Sequence, residues 1–153
     1  MKVKVLWPGK TRNRNLKDLE TDYLKRIARL NPIECVVFRE SRESSGERKK
    51  ALEADGFLAR ISTGDEVILL SEEGSQMTSR ELAVFIDKRL TYSSRDIVFL
   101  VGGEDGFGEK ILEKGYNCLS LSRMTLTHEW ARVMLLEQIY RAFTIIRNIR
   151  YQR

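Results

Sequence analysis

Along the chain, apolar runs of strand length alternate with stretches whose apolar residues recur every three or four positions. Runs at 2–7, 34–38, 66–70, 97–101 and 117–121 are rich in Val, Ile and Leu and predict five strands. Val67-Ile68-Leu69-Leu70 and Ile97-Val98-Phe99-Leu100-Val101 are apolar on both faces. A strand needs that only in the interior of a mainly parallel sheet with helices on both sides. Between the runs, a helix over 15–30 carries Leu16, Leu19, Tyr23, Leu24 and Ile27 on one stripe, and one over 47–62 carries Ala51, Ala54, Leu58 and Ile61. Thr78 followed by Glu81 is a capping-box pattern that opens a helix over 78–90. A shorter helix follows Gly108 and stops near Gly115; the most apolar one spans 128–147, with Val133, Leu136, Ile139, Tyr140, Phe143 and Ile146. Strand and helix alternate throughout, which predicts one α/β domain over 1–153. The polar, Ser-rich stretch 39–50 is expected to be a surface loop leading into a helix, with a flexible arm that touches RNA as the alternative.

Composition narrows the class. At 153 residues, 42% hydrophobic and 32% charged, the chain is an ordinary globular size and mixture. No apolar run approaches the ~18 residues of a membrane span, and the amino end alternates charge with bulk where a signal peptide would be continuously apolar. The expectation is a soluble cytoplasmic protein with no membrane partner. Two cysteines far apart, Cys35 and Cys118, and a lone histidine, His128, fall short of the roughly four ligands of a structural zinc site, so no metal is expected. A net charge of +5 raises nucleic acid as a partner, because Lys and Arg displace condensed counterions from phosphates.

In a parallel α/β sheet, ligands settle at the carboxyl ends of the strands. Three loops leave such ends: Ser71-Glu72-Glu73-Gly74, Gly102-Gly103-Glu104-Asp105-Gly106-Phe107-Gly108, and Ser122-Arg123-Met124-Thr125-Leu126-Thr127-His128. The middle loop has four glycines in seven residues, which lets a ligand approach backbone amides. It lacks the Lys-Ser or Lys-Thr ending of a triphosphate loop and the spacing of a dinucleotide fingerprint; a plain structural turn is the competing reading. In the third loop, backbone groups must find hydrogen-bond partners, and an adenine edge or a methionine moiety would supply them. His128 opens the last helix, where the dipole favours a neutral imidazole. It either caps and orients the loop or takes part in chemistry. The basic tail with Arg141, Arg147, Arg150, Tyr151 and Arg153 suits stacking on a base and contact with phosphate, or is a solvated end.

Together these pieces resemble a known family. Leu100-Val101-Gly102-Gly103-Glu104-Asp105-Gly106, Leu119 through His128, Arg132-Val133 and Glu137-Gln138-Ile139-Tyr140-Arg141-Ala142-Phe143 are similar to the bacterial large-subunit rRNA methyltransferase H family, as are Gly9-Lys10 and Tyr23-Leu24-Lys25-Arg26 near the amino end. The resemblance runs from Met1 to Arg153. It implies a minimal SPOUT fold: a mainly parallel sheet flanked by helices, with a C-terminal trefoil knot, an exception to unknotted topology. It also implies a homodimer that uses S-adenosylmethionine to methylate N3 of a pseudouridine in helix 69 of 23S rRNA. Carried over, Leu70, Gly102, Gly103, Ser122, Arg123, Met124, Thr125, Leu126 and Thr127 line the cofactor pocket. His128, Glu137 and Arg153 are the catalytic candidates, and Arg132, Arg141 and Tyr151 the substrate-binding ones. Where the family usually has proline on either side of the histidine, this chain has Thr127 and Glu129; where its tail usually reads Tyr-His-Arg, this one reads Tyr151-Gln152-Arg153, preceded by Ile149-Arg150 in place of His-Pro.

Because the donor is itself the electrophile, the protein is expected to bind, orient and supply charge. No residue stands out as the base that removes the N3 proton. Arg153 is the candidate for stabilising the imide anion, with Glu137 orienting Arg132, Arg141 or an arginine of a second subunit. Trp130, Met134 and Phe143 make the last helix more apolar than one sheet face requires, in keeping with a dimer. Two rivals remain at this level: a SPOUT enzyme acting on tRNA, and a non-catalytic RNA-binding module on the same fold.

Overall fold

The structure is a computed structural model; it describes residues 1–43 and 46–151. Among the described residues, five strands form one sheet in the order β2-β1-β4-β3-β5. They are β1 (Val3–Pro8), β2 (Ile33–Phe38), β3 (Glu66–Gln76), β4 (Ile97–Leu100) and β5 (Asn117–Ser120). Every pairing is parallel. The helices are α1 (Arg14–Ala28), α2 (Glu47–Leu58), α3 (Ser79–Tyr92), α4 (Glu109–Leu112) and α5 (His128–Ile146). All ten elements fall where the hydrophobic pattern puts them, apart from their ends.

Alternation along the central strands sorts side chains to two layers. Val5, Trp7, Ile68, Ile97 and Phe99 pack with Ile27 of α1, Ile86 of α3 and Leu136, Ile139 and Phe143 of α5. Leu6, Val67, Leu69, Val98 and Leu100 face the other way, against Ala54 and Phe57 of α2 and Ile111 of α4. Burial on both faces explains the unbroken apolar runs of β3 and β4. The expected capping box is present: Thr78 accepts from the Glu81 amide at 3.2 Å, and the Glu81 carboxylate accepts from the Thr78 amide at 2.7 Å. Both cysteines are unpaired and partly buried, and burial pushes the Cys35 thiol up to about 12.

Two local readings change. On α2 the inward face carries Lys49, Glu53, Ala54 and Phe57, whereas Ala51 is exposed. Phe57 sets that rotation by packing edge-on to Phe38, ring centroids 4.9 Å apart, and against Phe107 at 5.6 Å. Strand β3, expected to stop at Leu70, runs to Gln76, and Leu119 of β5 is paired twice, with Leu70 and again with Ser75. The intervening residues leave the ladder and cross the β5 backbone, so that a Cβ on Gly74 would lie 2.7 Å from the carbonyl carbon of Cys118. Only glycine permits that approach. A ladder that resumes after four unpaired residues has no periodic signature, which is why the apolar pattern ends early. Among the described residues, no helix is long and apolar enough to cross a membrane.

Candidate active site

Parallel pairing brings the ends of β3, β4 and β5 to one edge of the sheet, and the three loops that follow them meet there. They enclose a cavity of about 870 Å³, within the size range of small-molecule and cofactor sites. Of the cofactor residues expected from sequence, Leu70, Gly102, Gly103, Ser122, Met124, Thr125, Leu126 and Thr127 line it, and His128 lines it too. Arg123 is exposed and outside the lining. Glu72, Asp105, Phe107, Leu112 and Ala131 also line it. The first three belong to loops visible in the sequence, and Ala131 lies one helical turn after His128.

Each loop is held by its own polar groups. Gly106 donates its amide to Gly103 at 3.1 Å and has a φ of +79°, which closes the Gly-rich loop into a tight turn. Ser120 donates to the carbonyl of Ser122 at 2.9 Å, and the Ser122 hydroxyl accepts from the Met124 amide at 3.0 Å. Thr125 donates to the Glu72 carboxylate at 2.6 Å, a clasp between the first and third loops. Met124 is left 77% exposed at the rim.

The start of α5 forms the wall nearest β1. Thr127 caps the helix, and His128 is held below the ordinary imidazole range by burial and then by the charge of Arg132, against the pull of Glu129, Glu104 and Glu40. The neutral imidazole expected from the helix dipole thus has burial as its larger cause. Glu129 accepts from the amides of Arg12 and Asn13. Burial would push its carboxyl up, but those two amides carry it below the usual range.

Arg132 is 1% exposed. It donates to the carbonyls of Pro8 at 2.7 Å and Gly9 at 3.2 Å and to the Thr11 hydroxyl at 3.1 Å, with its guanidinium 5.2 Å from the Trp7 ring. Thr11 in turn donates to the buried Glu20. Arg132, a substrate-binding candidate from the sequence, is engaged in this structure by the loop after β1, whose carbonyls offer the acceptors that a buried guanidinium requires.

The remaining candidates lie farther along α5. Glu137, about 14 Å from His128 at the helical rise of ~1.5 Å per residue, accepts from Arg141 at 2.8 and 3.1 Å and from Gln138. Tyr151 folds back onto this region. Its ring packs edge-on against Tyr140 at 4.8 Å, the Arg141 guanidinium lies 4.7 Å from its centroid, and its hydroxyl is 3.3 Å from that of Tyr23. Burial and the Tyr23 hydrogen bond raise its phenol above the usual range. Arg153 lies outside the described residues. Within one chain, then, the candidates form two groups: a loop pocket with His128, and an aromatic–arginine cluster toward the carboxyl end of α5.

The family model described as "Predicted SPOUT methyltransferase" matches residues 1–152, so the parallel sheet and its loop pocket belong to that class of methyltransferases. The chain is 40% identical to ribosomal RNA large subunit methyltransferase H of Geobacter sp. (strain M21) over 99% of this chain and 98% of the relative. It is 40% identical to that of Citrifermentans bemidjiense over 95% of both, and 35% identical to that of Lactococcus lactis subsp. cremoris over the whole of both. The chain belongs to the ribosomal RNA large subunit methyltransferase H family.

Proposed function

We propose that this chain transfers the methyl group of S-adenosylmethionine to N3 of a pseudouridine in helix 69 of 23S rRNA, acting on the assembled ribosome in the cytoplasm as a homodimer. The observation that carries the reading is the convergence of the three loops on one cavity, in a chain of this family. The residues fit the cofactor: the cavity has the volume for it, and it combines apolar walls from Leu70, Leu119 and Leu121 with loop backbone and hydroxyls at 102–106 and 122–127. These loops would hold S-adenosylmethionine, which supplies an electrophilic methyl group when bound.

The chain's own residues do the rest. The Gly-rich turn leaves no side chain between ligand and backbone at Gly102 and Gly103, and the Thr125–Glu72 clasp fixes the opposite wall. His128, neutral and at the cavity edge, orients the start of α5 and offers a hydrogen-bonding ring to the target base. Glu137 holds Arg141, and the Tyr151 ring packs on the same guanidinium. The separation of this cluster from the pocket supports a site shared between two subunits. Trp130, 51% exposed on the first turn of α5, supports the homodimer; Phe143 is core. The double pairing of Leu119 and the crossing at Gly74 support a threaded, knotted chain.

The test is methyl transfer from labelled S-adenosylmethionine to assembled ribosomes, free large subunits and tRNA, with the product base located. Label at the helix 69 pseudouridine is expected. Label confined to tRNA, or none on any RNA, rejects the assignment.

A further inference from the structure

Resting on that reading, we infer that Lys10, Arg12 and Arg14 form a phosphate grip at the rim of the pocket, pinned there by α5, that holds the backbone of the RNA flanking the target nucleotide. Three cations occupy five residues around the start of α1. That is the positive end of the helix dipole, where carboxylates are favoured and cations are unfavourable. The first turn of α1 has no acidic residue, and Arg14 is its first member. Cations gain nothing from the helix there, whereas an anionic ligand benefits from the exposed side chains; Asn13 and Glu129 already take part of the amides at the helix end.

All three side chains are exposed. Among the described residues no hydrogen bond or ion pair engages the Lys10 or Arg14 side chain, while Arg12 pairs with Glu40 at 3.1 Å and remains 83% exposed. The backbone beneath them is fixed. Arg132 donates three hydrogen bonds to Pro8, Gly9 and Thr11, and Glu129 accepts the amides of Arg12 and Asn13. Burying a guanidinium is costly, and here it ties the cationic segment to one turn of α5. That same turn lines the pocket through His128 and Ala131. Lys10, Arg12 and Arg14 are therefore held at a set offset from the reacting centre, and Arg132 acts on substrate through them, as a positioning residue.

The test compares the parent protein with the double variant Lys10→Ala/Arg14→Ala. The KM for ribosomes is measured across a series of KCl concentrations, alongside retention of protein-free 23S rRNA on filters and calorimetric binding of S-adenosylmethionine. We expect KM to rise about tenfold and its logarithmic salt slope to fall by about 1.5, at ~0.7–0.9 per lost phosphate contact. The loss should fall on KM rather than kcat, with weaker rRNA retention and the same cofactor affinity. Arg14→Ala alone should leave the melting temperature unchanged or higher, since it removes a cation from the helix's positive end, and still weaken RNA retention. A role in folding or solubility would not move the two in opposite directions. Unchanged KM and salt slope in an active variant overturns the inference and leaves the proposed function standing. A loss seen on ribosomes but not on protein-free rRNA assigns the cations to a ribosomal protein and also overturns it. A wild-type chain that methylates no RNA overturns both.

Discussion

Thr125 donates its hydroxyl to the carboxylate of Glu72 at 2.6 Å, joining the loop after β5 to the loop after β3 across the mouth of the cavity. Both residues are exposed, so the bond adds little to global stability. Its effect is on the pocket, because the two loops must otherwise be ordered when a ligand binds. Glu72→Gln and Thr125→Val should each weaken S-adenosylmethionine binding by about fivefold, near 1 kcal/mol, and leave the melting temperature within about two degrees. Calorimetric titration checks this; unaltered affinity in both variants would show that the loops are ordered without the clasp.

Gly74 passes over β5 so closely that a methyl group in place of its hydrogen would meet the backbone of Cys118 and Leu119 at 2.7–2.8 Å. Backbone has no rotamer by which to move aside, so Gly74→Ala should cost about 3 kcal/mol, the upper end for overpacking. Denaturant unfolding would reveal it as a lower midpoint with an unchanged slope. A variant as stable as the parent would mean the crossing is looser than this geometry.

Glu53 is buried on α2, where a Cβ on Gly103 would come within 2.8 Å of its Oε2. Burial raises its carboxyl above the usual range; the Lys49 charge opposes this, and Glu40 and Asp105 add to it. The sign follows from the raised value. The fold binds this proton more tightly than the unfolded chain does, so the stability it contributes is full below pH 4.5 and is lost as pH rises through the folded-state value. Glu53→Gln should therefore gain stability relative to the parent as pH rises from 4.5 toward 7. Unfolding of both proteins across that range tests it, and a difference that does not vary with pH would contradict it.

The order of elements and the three-loop site were readable in the sequence because both follow from strand and helix periodicity and from the rule that parallel strands present their ligands at one edge. What escaped depends on tertiary partners. The sequence offers Arg132 as a substrate-binding candidate, and nothing local in it shows burial; only the carbonyls of Pro8 and Gly9, distant in sequence, turn it inward. Glu129 seemed a departure from pattern, yet it takes the amides of Arg12 and Asn13. Arg123 sits inside a pocket-forming stretch but projects to solvent, since a non-helical loop has no periodicity from which to assign sides.

Tyr151 connects the tail to α5 through Tyr140, Arg141 and Tyr23. Tyr151→Phe removes only a 3.3 Å hydroxyl contact and should retain most turnover. Tyr151→Ala removes the ring on which the tail is anchored, and should lower methyl transfer by about a hundredfold with cofactor affinity preserved, as should Arg153→Ala. Equal loss of turnover and cofactor affinity in these variants would show that the tail serves the pocket rather than the substrate.

His128 is the only histidine in the chain, so a single imidazole resonance reports its protonation without assignment. Burial and the Arg132 charge lower its value from 6.5, and the titration midpoint by NMR should lie below that number. A depressed imidazole contributes stability that is present above pH 6.5 and disappears as pH falls through the folded-state value. His128→Gln should accordingly lose its stability deficit in acid. At neutral pH the ring is uncharged, so methyl transfer should be flat from pH 7 upward as far as this group is concerned, and His128→Gln, which keeps a hydrogen-bonding side chain but not the ring, should reduce turnover more than cofactor binding. A midpoint at or above 6.5 would mean that the helix start is open to solvent, and the neutral-ring role assigned to His128 would fall with it.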